Sequence, residues 1–93
     1  MNQNNLGLAY AAKKAVLGTD QVIHALRQGK LYLIILATDA SLNTKKKIND
    51  KANTYHTKVL ERLNSEELSK AIGGFNIKVV GITDKGFSEL LVK

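Results

Sequence analysis

The chain has no cysteine, no proline and no tryptophan, and only five aromatic residues, three Tyr and two Phe, among its 93 positions. Without cysteine there are no disulfides and no thiolate metal ligands, which fits a reducing compartment. Without proline no helix is broken from within and no cis peptide bond is expected. The longest apolar run is seven residues, 31–37, far short of the roughly 20 that a membrane-spanning helix requires. The opening MNQNNLGLAY lacks the basic stretch and apolar core of a secretory signal. A cytoplasmic location without membrane attachment is therefore the expectation. Catalytic signatures are missing too. The two histidines, His24 and His56, lie far apart with no carboxylate at ligand spacing, so no metal site is expected. No P-loop, dinucleotide fingerprint or nucleophile motif occurs, and Ser65 and Ser69 have no evident base. The expectation is a non-enzymatic protein without metal or cofactor.

What is present is ordinary globular composition with an uneven charge. Hydrophobic residues make up 44% and charged residues 24% of a chain whose length suits one domain, 1–93. The formal charge is +6, counting both histidines as neutral. Residues 1–60 carry nine Lys or Arg against Asp20, Asp39 and Asp50, which accounts for all six; residues 61–93 carry five of each sign. Such an asymmetry points to a polyanionic partner, nucleic acid ahead of a membrane surface, or else to a merely soluble basic protein.

The pattern of elements is α/β. A helix over 2–13 is suggested by Ala9, Ala11 and Ala12, with Asn2 to Asn5 as caps and Gly7 as a weak point. A short strand over 15–18 ends at Gly18; Thr19 then caps a helix over 20–28 that Gly29 closes in the left-handed region. LYLIILA, 31–37, is apolar on both faces, as a central strand covered on both sides must be. Ser41 or Asn43 caps a helix over 44–53 that turns Ile48 and Ala52 inward and the lysines largely outward. A strand follows at 55–60. Asn64 or Ser65 then caps SEELSKAI, and Gly73 or Gly74 ends it. IKVVGIT is the fourth strand, and Asp84 caps a last helix striped by Phe87, Leu90 and Leu91. Alternation of this kind places helices on both faces of one sheet.

Three stretches carry chemistry that a partner can use. At 100° per residue, Asp20, Gln21, His24, Arg27 and Gln28 share one arc of the second helix, and Val22, Ile23, Ala25 and Leu26 the other. Gly18 and Thr19 lie at its start, where free backbone N–H groups suit a phosphate or a base edge. The plain alternative is a capped helix with a solvated polar face, and the carboxylate of Asp20 disfavours an anion there. Lys45, Lys46 and Lys47, with Lys51, are phosphate-contact candidates or a solvated helix face. Arg62, Leu63 and Asn64 precede a helix start; Leu63 is either an exposed stacking residue or core.

The order of these parts resembles a known family. A glycine–threonine turn opens a polar-faced helix, the apolar strand LYLIILA follows, and a short loop leads into SEELSKAIG. This set resembles the kink-turn RNA-binding ribosomal proteins, and among them the bacterial YlxQ group, over roughly residues 3–92. The resemblance implies a single-domain three-layer α/β/α sandwich around a mixed four-stranded sheet. It implies a monomer that binds structured RNA, ribosomal RNA above all, within a ribosome or an assembly intermediate. It also implies that Gly18 and Thr19 approach the RNA through the backbone, with Arg62, Leu63 and Asn64 in a loop that caps a flipped-out nucleotide. Three positions depart from the family's pattern: Asp20 stands where asparagine is common, Gln21 where glutamate is, and His24 where lysine is. Asp20 can accept from a guanine edge but cannot donate, and His24 reaches less far than a lysine. Each lost base contact of this sort costs ~1–3 kcal/mol. A protein-interaction module that keeps the fold and binds RNA weakly is the alternative.

Overall fold

In the computed structural model residues 3–93 are described; Asn2, one of the capping candidates, lies outside them. Helices and strands alternate: α1 (Gln3–Ala11), β1 (Ala15–Leu17), α2 (Thr19–Arg27), β2 (Leu33–Leu36), α3 (Leu42–Thr54), β3 (Lys58–Glu61), α4 (Ser65–Ile72), β4 (Val79–Ile82) and α5 (Lys85–Val92). The strands form one mixed sheet in the order β1-β4-β2-β3. β4 is antiparallel to both its neighbours, and β2 and β3 are parallel. Helix α2 packs on α3 over one face, while α1 packs on α4 and α5 over the other. The three-layer α/β/α sandwich is thus the fold.

The two central strands explain the layering. Leu33, Ile34, Ile35 and Leu36 are all fully buried, and so are Val79, Val80 and Ile82. Successive side chains point to opposite faces of a strand, so both faces need cover, and helices supply it from each side. Burying one such side chain contributes ~1.5–3 kcal/mol. The apolar arc of α2 does this on one side: Val22, Ile23, Ala25 and Leu26 are at most 5% exposed. Gly81 keeps the middle of β4 open for a neighbour, since a Cβ there would lie 2.9 Å from both methyls of Leu31.

Several element ends differ from the sequence expectation. Thr19 is the first helical residue of α2 rather than its cap. The cap is Gly18, at φ 90° and ψ 154°, and it makes no side-chain capping bond. Helix α3 starts earlier and runs later than expected, from Leu42 to Thr54, because Ser41 Oγ accepts from Thr44 N. The third strand consequently cannot begin at 55. Tyr55 is the helix cap and His56 takes a left-handed φ of 55°, so extended pairing starts at Lys58. In α5 the stripe is incomplete: Leu91 is buried, Phe87 half-buried and Leu90 43% exposed. Ser88 takes the inward position instead, its hydroxyl donating to the Lys85 carbonyl at 2.8 Å.

The register defines two rims. Leu17, Leu36 and Glu61 end their strands beside the start of β4 at Val79, and this end is the upper rim. Ala15, Leu33 and Lys58 begin theirs beside Ile82 at the lower rim.

Gly7 lets α1 approach α4 closely: a Cβ at that position would sit 2.7 Å from the carbonyl oxygen of Ala71. Gly7→Ala gains up to ~1 kcal/mol of helix propensity but forces the two helices apart, an overpacking cost of ~1–3 kcal/mol. The expected outcome is a net loss of stability of about 1 kcal/mol, read as a lower urea midpoint at unchanged slope.

Candidate nucleic-acid interface

The start of α2 stands at the upper rim with its backbone bare. Gly18 N donates to the Val79 carbonyl at 2.9 Å, which ties the turn to the sheet. The first helical bond runs from Val22 N to the Gly18 carbonyl. The N–H groups of Thr19, Asp20 and Gln21 precede it, and no capping side chain covers them. By contrast Ser41, Asn64 and Asp84 each cap their helices through a side chain. The backbone of Gly18 lies in a region that essentially only glycine enters. A Cβ there would meet no atom within 4 Å, so the space in front of the turn is open. Asp20, Gln21, His24 and Arg27 are all exposed on the polar arc of α2. Arg27 lies eight residues beyond Thr19, about 12 Å down the helix axis, and belongs to the lower half of the molecule.

The second part of the upper rim is a pair of loops held together. Thr38 N donates to the Leu63 carbonyl at 2.8 Å. The carboxylate of Asp39 accepts from both Ser65 N and Ser65 Oγ, each at 2.7 Å. These bonds, the hydroxyl first, hold the Asp39 carboxyl below its ordinary range, with a further contribution from the charge of Lys78. Asn64 completes a capping box: its side chain accepts from Glu67 N at 2.8 Å while Glu67 Oε1 accepts from Asn64 N at 3.1 Å. The Asn64 side-chain oxygen is therefore engaged in the protein itself. Leu63 is 8% exposed and sits in the core cluster, so of the two readings of this residue it is core, and only its main chain reaches the rim. Arg62 is exposed.

The lysine triplet does not form one surface. Consecutive helical residues are 100° apart, and Lys45, Lys46 and Lys47 accordingly splay around α3. Lys45 is half-buried and pairs with Glu61 at 3.6 Å, while Lys46 and Lys47 face solvent. Around the upper rim Asp20, Asp39, Glu61 and Glu66 offset Lys45, Arg62 and Lys78. Backbone donors and polar side chains, rather than net positive charge, are what this rim offers.

One segment escaped the sequence reading. The loop from Gly73 to Lys78 returns α4 to β4 and passes between the Gly18 turn and the Asn64 loop. It lines a cleft of about 220 Å³ with Gly18 and Thr19, and another of about 340 Å³ with Ser65 and Glu66. Asn76, left-handed at φ 54°, borders both. Phe75 projects beside it at 90% exposure. Ser69, buried in α4, fixes the loop by accepting from Ile77 N at 2.7 Å. The available signal was a phenylalanine directly after two glycines in a chain with only two phenylalanines.

With this geometry, comparison with known proteins gives consistent findings. The model of the ribosomal protein L7Ae/L30e/S12e/Gadd45 family matches residues 2–92. The RNA-binding protein YlxQ of Bacillus subtilis (strain 168) is 40% identical, covering 94% of this chain and 87% of its own length. The large ribosomal subunit protein eL30 of Eremothecium gossypii is 35% identical, covering 97% of this chain and 91% of its own. A solved structure from Bacillus halodurans C, a protein with unknown function, superposes with a TM-score of 0.94 at 39% identity, over 97% of this chain and 91% of its own.

Two outcomes test the rim. Gly18→Ala places a Cβ on a backbone that disfavours it; a stability loss of ~1–3 kcal/mol is expected in chemical denaturation. The Asp39 carboxyl is depressed in the folded state, so the bond to Ser65 stabilises the loops above the ordinary carboxylate range and is lost as pH falls through the depressed value. Ser65→Ala removes the hydroxyl donor, and a carbon-13 carboxyl titration is expected to find the Asp39 pKa raised towards ordinary.

Proposed function

The chain belongs to the ribosomal protein L7Ae/L30e/S12e/Gadd45 family, and on that premise we propose that it is a non-enzymatic RNA-binding protein of the ribosome or its assembly. It recognises a sharply kinked RNA at the upper rim and acts in the cytoplasm as a monomer, stabilising the bent form by binding it. The observation that carries this reading is the uncapped start of α2, with Gly18 facing open space, on the same rim as the loop that Asp39 latches to Ser65. Bare N–H groups at a helix start suit phosphate and base-edge oxygens, and a glycine allows close backbone approach. Gln21 and His24 add polar contacts from the next turn, Arg62 a cation from the opposite loop, and Phe75 a face on which an unpaired base can stack. Lys46 and Lys47 supply phosphate contacts from α3, with Lys45 limited by its pairing to Glu61.

Asp20 is the weak point of this interface, since it brings a negative charge to a helix start that faces phosphates. Asp20→Asn removes the charge and restores a donor. The test is a titration of a fluorescent kink-turn RNA against a plain duplex of equal length at two salt concentrations. A preference for the kink-turn that persists at the higher salt is expected, with Asp20→Asn tightening it about tenfold and Phe75→Ala and Arg62→Ala each weakening it. Equal and steeply salt-dependent binding to both RNAs would sink the specific reading, and failure to bind either would favour a protein partner.

A further inference from the structure

Part of the charge that the sequence concentrates in residues 1–60 lies at the lower rim, away from the Gly18 turn. Lys14 leads into β1, and its carbonyl accepts from Thr83 N at 2.9 Å. Tyr32 leads into β2, its N–H donating to the Ile82 carbonyl at 2.9 Å. Lys58 begins β3 opposite Leu33. Lys13 and Lys30 occupy the turns that end α1 and α2, and Lys85 begins α5. Lys13, Lys14, Lys30, Lys58 and Lys85 are all exposed, and the carboxylate among them is Asp84, which is occupied in capping Phe87 N at 2.9 Å.

Compensation of helix dipoles does not account for this. The C-termini of α1, α2 and α3 lie at the lower rim together with the N-terminus of α5. At about half a charge each they sum to about −1, whereas five lysines and one aspartate carry +4. The excess is about three positive charges. A second feature is independent of charge. All three tyrosines lie in this half of the molecule and all are open to solvent: Tyr10 in the last turn of α1 at 43%, Tyr32 at 53% and Tyr55 at the cap of α3 at 42%. Thr57, which hydrogen-bonds the Tyr55 carbonyl, precedes the Leu33–Lys58 pair and so lies opposite Tyr32 in the register.

We infer that the lower rim is a second RNA-binding surface, one that holds an unpaired stretch of RNA by phosphate contacts to Lys14, Lys30 and Lys58 and by stacking of a base on Tyr32. Lysines interleaved with exposed aromatic rings are the arrangement that tracks a single strand, charge following the backbone and rings taking the bases. From Lys14 to Lys58 the rim crosses three strand spacings, about 14 Å. It faces away from the upper rim, so a strand held here leaves the upper rim free. This inference stands apart from the kink-turn reading and does not require it.

The test uses the full chain and a fluorescein-labelled ten-nucleotide oligouridine, which has no kink. The parent protein is expected to bind it at 50 mM salt. Lys14→Ala/Lys30→Ala/Lys58→Ala is expected to weaken binding at least tenfold and to reduce the slope of log K against log salt by about two. Tyr32→Ala is expected to weaken it several-fold with the slope unchanged, and Tyr32→Phe to restore it. Arg62→Ala at the upper rim should leave oligouridine binding as it is. Circular dichroism melts of each variant separate lost binding from lost folding; the substituted side chains are exposed, so intact melts are expected. Absence of oligouridine binding, or binding indifferent to the lysine triple, would overturn the inference, as would binding to anionic phosphatidylglycerol vesicles alone. Loss of kink-turn binding with oligouridine binding retained would leave it standing while removing the reading of the upper rim.

Discussion

Two adjacent strands, β2 and β4, are buried on both faces, and the placement of every other element follows from covering them. Two helices lie on one side and three on the other because each face of Leu33–Leu36 and Val79–Ile82 must be kept from water. The edge strands β1 and β3 are only partly buried, and β3 accordingly tolerates Lys58 and Glu61 at its ends. The loops at the upper rim are then tied down by main-chain bonds from Gly18 to Val79, from Ala37 to Lys78 and from Thr38 to Leu63. A surface of backbone donors needs this rigidity, since it cannot adjust by side-chain rotation.

The layering also gives the molecule an electrical direction. Helices α2, α3 and α4 start at the upper rim, and α1, α2 and α3 end at the lower. Backbone partial charges are therefore positive above and negative below. The ionised side chains lean the other way, with Asp20, Asp39, Glu66 and Glu67 above, beside Lys45, Arg62 and Lys78, and Lys13, Lys14, Lys30, Lys58 and Lys85 below. At the upper rim the side chains largely cancel the field that the helix starts produce. What the upper rim offers is hydrogen-bond geometry, and the excess of exposed lysines lies at the opposite end.

Those parts of the fold that depend on local chemistry were legible in the sequence. The unbroken apolar run at 31–37 announced a doubly covered strand, and Asn64 or Ser65 ahead of SEELSKAI announced a capped helix, of which Asn64 is the cap. The partition of α2 into a buried and a polar arc followed from 100° steps alone. Features set by backbone dihedrals were not legible. That Gly18 rather than Thr19 caps α2 depends on a φ of 90°, and the late start of β3 depends on the left-handed turn at His56. Residues 73–78 were read as a helix stop and a strand start, because nothing local says that the intervening loop folds back between the Gly18 turn and the Asn64 loop. The lysine triplet shows another limit: adjacency along the chain is dispersal around a helix, so that Lys45 pairs with Glu61 while Lys46 and Lys47 face solvent.

The strand order β1-β4-β2-β3 puts the last strand in the middle of the sheet. Until β4 arrives β1 has no partner and β2 only one of its two, and β4 follows both by more than forty residues. During synthesis the parallel pair of β2 and β3 can form with α3, but β1 and α1 wait with their apolar sides uncovered until the final fifth of the described chain emerges. Closure of the sheet is thus a late, long-range event, and the growing chain depends on its surroundings until β4 slots between its neighbours.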